Sequence, residues 1–106
     1  MSADNKQDIT ILRRKKARGA VLGMLDENYP TGIEYTVLER ILVSAGKCQS
    51  FELQGILKYL ADKQYLYIHK PEEPTIKLYE GSFVELSAHG KDLVEKSLDD
   101  DPGIEL

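Results

Sequence analysis

Apolar residues recur at three- and four-residue spacing through the first two thirds of the chain, and this pattern predicts three helices. The first begins at Ile9 and ends before Asn28-Tyr29-Pro30, because proline disfavours helical geometry in the residue before it. The second and third follow after short polar breaks. The predicted buried faces are, in order, Ala17, Ala20, Val21, Met24 and Leu25; Val37, Leu38, Ile41, Leu42 and Ala45; and Leu53, Ile56, Leu57 and Leu60.

Polar and glycine residues mark where these helices start and stop. The run Thr31-Gly32-Ile33-Glu34 is typical of a capping box, in which the threonine and the glutamate bond reciprocally to backbone amides. Gly46 suits the left-handed residue that closes a helix, and Lys47-Cys48-Gln49 predicts a tight turn. Ser50 is the predicted N-cap of the third helix, which should end near Gln64.

From Tyr65 the apolar period changes to two, which predicts strands. Leu66 and Ile68 should point inward within Tyr65–His69. Pro71-Glu72-Glu73-Pro74 predicts an exposed loop, followed by strands at Thr75–Tyr79 and Phe83–Leu86 around a Glu80-Gly81-Ser82 turn. Ser87 should cap a last helix with Leu93, Val94 and Leu98 facing inward.

This order of elements predicts an α+β fold of the winged helix-turn-helix type: a three-helix core, an antiparallel β-wing and a C-terminal helix. The predicted organisation is a disordered N-terminal segment at 1–8, one domain at 9–98 and an acidic tail at 99–106. A chain of 106 residues has room for one modest core and hardly for a second.

One segment resembles a known pattern. The run from Val84 to Leu93, VELSAHGKDL, is similar to the strand-to-helix pattern "L-[ST]-x-x-G-x-x-L" of winged-helix regulators of the ArsR, MarR and PadR kind. The resemblance covers roughly residues 17–98. A closer likeness is to small winged-helix proteins of Mu-like prophages, which share the length, the "L-[ST]-x-x-G-x-D" run and a short tail with Pro-Gly-Val or Pro-Gly-Ile, here Pro102-Gly103-Ile104.

The resemblance implies a DNA-binding, transcription-regulator-like protein of prophage origin. It also implies pairing of two copies through a terminal helix, here Ala88 to Leu98, so that two recognition helices lie about one DNA turn apart. Gly19 and Gly23 offer another close helix contact, either within the chain or in a homodimer. The alternative from a different class is a protein–protein interaction module, such as a phage accessory protein, that keeps the fold without binding DNA.

The charged residues are unevenly distributed along the chain. The net charge of −4 comes from 14 cations and 18 carboxylates, and the tail supplies four of those carboxylates, which leaves residues 1–98 with 14 of each. The strongest positive density is a cationic cluster that should contact DNA phosphates. Its five members spread around much of the first helix: Arg13, Arg14, Lys15, Lys16 and Arg18.

The third helix would be the recognition helix, and Gln54, Lys58 and Tyr59 are its candidate base-reading residues. It contains no arginine, and Lys58 and Lys63 balance Glu52 and Asp62. Glu72 and Glu73 at the predicted wing tip would repel phosphates. The neutral helix and the acidic wing tip favour the interaction-module alternative.

Other chemistry finds little support in the sequence. Cys48 is the only cysteine, which excludes an intrachain disulfide. The two histidines, His69 and His89, lie far from it and from each other in the sequence, so no metal site is expected within one chain. No phosphate-binding loop or catalytic motif occurs, so we expect no enzyme activity and no cofactor. No apolar run approaches the roughly 20 residues of a membrane span, and residues 1–7 are polar, so we expect a cytoplasmic protein without a membrane partner.

Overall fold

A computed structural model describes the backbone of residues 3–71 and 81–106 and the side chains of residues 8–71 and 81–106. The described part is an α+β structure with helices α1 (Ala3–Glu27), α2 (Tyr35–Ser44), α3 (Leu53–Asp62) and α4 (Ala88–Val94). A 3₁₀ turn at Ser50–Glu52 leads into α3. The strands are β1 (Ile33–Glu34), β2 (Leu66–His69) and β3 (Phe83–Leu86). The predicted loop at 71–74 and the predicted strand Thr75–Tyr79 fall almost wholly in residues 72–80, outside the described residues.

The three strands form one antiparallel sheet in the order β1-β3-β2. Val84 at the centre of the sheet faces Ile33 on one side and Ile68 on the other. The helices pack against this sheet around a core of fully buried aliphatic side chains: Val21, Leu22, Leu25, Leu38, Leu57, Leu60, Leu66, Val84 and Leu93. Strand β1 was not predicted, because two residues are too short to show an alternating pattern.

Several predictions from the sequence are confirmed. The apolar faces of α1 and α3 lie in the core or against it, with Leu22 as an additional member. Gly46 closes α2 with a left-handed φ of +72°. The Ser87 hydroxyl accepts from the Gly90 amide at 2.9 Å, so it caps α4 as predicted.

Two predicted caps are wrong. Thr31 does not cap α2, because the chain first forms β1 and the carboxylate of Glu34 then accepts from the Val37 amide at 3.3 Å. Ser50 does not cap α3 either. The Glu52 carboxylate reaches back to the Gln49 amide at 2.8 Å, and the helix proper begins only at Leu53.

Both chain ends differ from the predicted domain boundaries. Helix α1 begins at Ala3 rather than at Ile9, so most of the segment predicted as disordered belongs to a helix. The tail 99–106 folds back onto the domain, where Asp101 and Ile104 are buried and the Glu105 amide donates to the Lys15 carbonyl at 3.0 Å. Among the described residues, no helix combines the length and the apolar character that crossing a bilayer requires.

Candidate nucleic-acid interface

Two members of the cationic cluster, Arg14 and Arg18, lie beside the segment that leads into α3. Arg14 and Arg18 of α1 line a surface hollow of about 400 Å³ whose opposite wall is formed by Phe51, Gly55 and Ile56. A Cβ atom added at Gly55 would meet no other atom within 4 Å, so this part of α3 stands open to solvent. The exposed face of α3 and the nearest cations of α1 therefore form one continuous surface.

Arg13 ties α1 to the start of α3. Its guanidinium group bonds to both carboxylate oxygens of Glu52, at 2.8 and 3.1 Å. The pKa of Glu52 is lowered, chiefly by the hydrogen bond from the Gln49 amide, with burial opposing it and Arg13 adding to the lowering. The Glu52 carboxylate thus neutralises much of the Arg13 charge, although the Arg13 side chain is half exposed.

Arg18 and Tyr59 form a second contact between the same helices. The guanidinium group of Arg18 lies over the Tyr59 ring, 3.7 Å from its centroid, and donates to the Gly103 carbonyl at 3.1 Å. Lys63 approaches the same ring at 5.6 Å. Both Arg18 and Tyr59 are half-buried, and Gly103 leaves room for the Tyr59 hydroxyl, which a Cβ there would meet at 2.1 Å. These contacts hold the C-terminal segment against α1 and α3.

The remaining cations point in different directions, as the helical spacing predicted. Lys15 is half-buried. Lys16 is exposed and lines a separate groove with Ile9 and Leu12. Only part of the cationic cluster, chiefly Arg14, is therefore directed to the surface shared with α3.

The predicted base-reading residues of α3 have partners of their own. Gln54 is half-buried and shares a hydrogen bond with the Tyr35 hydroxyl. Lys58 forms an exposed ion pair with Asp62, one turn further along, at 3.1 Å. Exposed pairs of this kind contribute only about 0–1 kcal/mol, so the Lys58 ammonium can exchange partners at little cost.

Large apolar side chains of α2 and of the turn before α3 are exposed, which the sequence pattern did not predict. Phe51, in the 3₁₀ turn before α3, is 78% exposed. Val37 and Ile41 of α2 were predicted to be buried, and this prediction is wrong, since they are 49% and 38% exposed. Of the predicted α2 face, Leu38 and Leu42 are buried as expected, Ala45 is exposed as well, and Tyr35 is an additional buried residue. The signal for Phe51 was its place on the polar side of the α3 pattern, four residues before Gly55.

Cys48 and the two histidines do not come together. Cys48 is buried beside the turn after α2, and burial raises the pKa of its thiol. His69 lies 3.1 Å from the Glu85 carboxylate, whereas His89 stacks on Tyr65 at 4.9 Å between ring centroids. Among the described residues, no three His, Cys, Asp or Glu side chains are grouped so that they could hold a metal ion.

Gly19 and Gly23 have different surroundings. A Cβ at Gly19 would lie 1.8 Å from the Glu105 carbonyl oxygen, so this glycine admits the chain's own C-terminal segment. A Cβ at Gly23 would meet nothing within 4 Å. The close contact at Gly19 is therefore intramolecular, and a helix from a second copy cannot use it.

Comparison of the chain with models of protein families, with curated proteins and with solved structures finds no match.

Proposed function

We propose that the chain is a winged-helix DNA-binding protein of the transcription-regulator type. The order α1-β1-α2-α3-β2-β3-α4 and the sheet order β1-β3-β2 support this proposal. In such a fold α2 and α3 form the helix-turn-helix unit, α3 enters the major groove and the β2–β3 connection is the wing. The proposed prophage origin rests on the residue pattern at 84–93 and 102–104 alone.

The observation that carries the proposal is the position of Arg14 beside the exposed start of α3. Recognition helices contact base edges near their N-terminal ends, and neighbouring cations neutralise the flanking phosphates. Arg14 has this placement, and Lys58 lies further along α3. Arg13, Arg18 and Tyr59 position α1, α3 and the C-terminal segment through the contacts described above, and Gln54 joins α3 to Tyr35 of α2.

Binding to mixed-sequence duplex DNA, titrated with salt, tests this proposal. The affinity should fall steeply as salt increases, because each neutralised phosphate releases counterions. Arg14→Gln should flatten the slope of log affinity against log salt by about one unit. Lys96→Gln is the matched control, because Lys96 is an exposed cation paired with Asp100 beyond α4. Equal slopes for both variants, or no binding at low salt, would contradict the proposal.

A second candidate function is a protein–protein interaction module with the same fold. The exposure of Phe51, Val37 and Ile41 favours it, since large apolar side chains at the surface are frequent in contacts between proteins. The pairing of Lys58 with Asp62 also leaves α3 electrically neutral.

A photo-reactive amino acid at position 51 distinguishes the two functions. If α3 enters DNA, the probe should cross-link to added duplex DNA, and cross-linking should decrease with salt. If the module binds protein, the probe should cross-link to a protein in extracts of the source cells and not to DNA. The same probe at position 96 is the control and should give neither product.

A further inference from the structure

The side chains that α3 presents to solvent include one row of four positions. Spacings of four, three and four residues place them along one face of the helix and of the turn before it. All four are exposed, and they are Phe51, Gly55, Lys58 and Asp62. Lys58 carries the only hydrogen-bond donor among these side chains, and its ammonium group is paired with Asp62 at 3.1 Å. The row therefore offers few groups for reading bases through hydrogen bonds.

The beginning of this row is apolar and open. Phe51 is more exposed than any other large apolar side chain in the part of the chain that the structure describes. Gly55 follows one turn later, and a Cβ atom there would meet no other atom within 4 Å. A surface that lies against the row therefore approaches the Gly55 backbone closely and contacts the Phe51 ring beside it.

The charges around Phe51 favour an anionic partner. Arg14 lines the hollow next to the ring. The neighbouring carboxylate of Glu52 is already held by the Arg13 guanidinium group and by the Gln49 amide. The unscreened end of the row is distant, since Asp62 lies roughly 16 Å further along the helix axis. An apolar ring beside a cation thus suits a polyanion that carries apolar groups between its charges.

Duplex DNA offers one apolar group in its major groove, the 5-methyl group of thymine. All other base-edge groups in that groove are hydrogen-bond donors or acceptors. We infer that Phe51 reads thymine by packing its ring against this methyl group, while Arg14 holds a phosphate beside the contact. Recognition helices contact base edges near their N-terminal ends, which is where Phe51 lies. The inference rests on the proposed function, because it requires α3 to enter the major groove.

Replacing thymine by uracil tests this contact. A duplex made only of A·T pairs and the same duplex with uracil at every thymine present identical hydrogen-bonding groups and differ by the methyl group alone. The unmodified chain should bind the thymine duplex about fourfold more tightly, the ratio expected when one methyl group is removed from water. A duplex of G·C pairs should gain affinity in the same way when its cytosines carry a 5-methyl group.

Phe51→Ala should bind the thymine and uracil duplexes equally. The ring is largely exposed, so the variant should fold, as circular dichroism can confirm. Ile9→Ala is the matched control: Ile9 is also a strongly exposed apolar residue, but it lines a different groove. This control should keep the preference for thymine.

Gly55→Leu tests the close approach of the helix to the bases. Leucine favours a helix more than glycine does, and the position is open, so the fold should not be weakened. The added side chain should nevertheless weaken binding of the thymine duplex at least as much as Phe51→Ala does, because it holds the bases away from the ring.

The outcomes separate this inference from the proposed function. Salt-dependent binding with equal affinity for the thymine and uracil duplexes would overturn the methyl contact and leave the DNA-binding proposal standing. A thymine preference that persists in Phe51→Ala, or unchanged binding by Gly55→Leu, would also overturn it. No binding to any of these duplexes at low salt would overturn the proposed function and this inference together.

Discussion

The buried carboxylate of Asp101 should be a main stabiliser of the folded C-terminal segment. It accepts from the Tyr65 hydroxyl at 2.7 Å, from the Gly103 amide at 2.7 Å and from the Lys63 ammonium group at 3.3 Å. In Asp101→Asn one oxygen becomes an amide group, so a donor faces either the Gly103 amide or the Tyr65 and Lys63 donors, and one of these contacts is lost in each orientation. Hydrogen bonds to charged groups contribute about 1.5–3 kcal/mol, so we expect the free energy of unfolding to fall by about 2 kcal/mol.

Thermal or urea unfolding followed by circular dichroism measures this loss. With an unfolding entropy of about 2.1 cal/mol/K per residue, 2 kcal/mol corresponds to a decrease in Tm of about 9 °C for 106 residues. Asp100→Asn is the matched control, because Asp100 is exposed and forms an ion pair with Lys96, whose side chain is exposed as well. That substitution should change stability by less than about 0.5 kcal/mol.

The pH dependence of stability shows how much of the Asp101 contribution comes from its negative charge and how much from the packing of its side chain. Burial acts to raise the pKa of Asp101, but hydrogen bonds from Tyr65, Gly103 and Lys63 outweigh it, so the pKa is lowered overall. The unfolded chain therefore binds more protons than the folded one below about pH 4, and stability falls as the pH drops through the folded-state pKa. The difference between the unmodified chain and Asp101→Asn should shrink in this window. A variant as stable as the unmodified chain at pH 7, or a difference that does not change down to pH 3, would refute the reasoning.

Three further predictions concern single positions. Gly19→Ala should destabilise the fold by more than about 1 kcal/mol, because its Cβ would meet the Glu105 backbone. Gly23→Ala should stabilise α1 by up to about 1 kcal/mol, because a Cβ at Gly23 would meet nothing within 4 Å. Urea unfolding of both variants shows whether the two changes in unfolding free energy have opposite signs. Gln64 has a φ of +66°, so Gln64→Gly should raise the unfolding free energy by about 1 kcal/mol, and an unchanged or lower urea midpoint would count against strain there. Burial raises the pKa of Tyr65 to about 12, so its contribution to stability is complete below pH 10 and is lost as the pH rises through 12. In an absorbance titration near 295 nm, Tyr65→Phe should remove a late-ionising tyrosine; loss of an early-ionising one instead would contradict this prediction.

The helices were predictable because their signals are local. The apolar residues of Leu53–Leu60 on α3 and Ala17–Leu25 on α1 follow the helical repeat. Residues at this spacing share one face, and can be buried together, when the segment is a helix. The cap at Ser87 and the left-handed Gly46 depend on one or two residues and on backbone geometry that the same residues set. Strand β1 has no such signal, since it exists only because β3 lies beside it.

The candidate site was less predictable than the fold. The sequence identified the cationic cluster and its spread around α1. It did not show that Glu52 would neutralise Arg13 or that the Arg18 guanidinium group would lie over the Tyr59 ring. These pairs join residues that are 39 and 41 positions apart, and no periodicity connects such positions. The exposure of Phe51 likewise depends on how α3 sits against α1.

The sequence by itself determined the helices, the change to strands after residue 64 and the excess of negative charge in the last eight residues. The tertiary structure decided what that charge does. Asp101 is buried under Tyr65 and Lys63, and the segment predicted as an acidic tail is part of the folded domain. The reason is physical: helical and strand periodicity arise from neighbouring residues, whereas the partner that makes a buried charge tolerable comes from elsewhere in the chain.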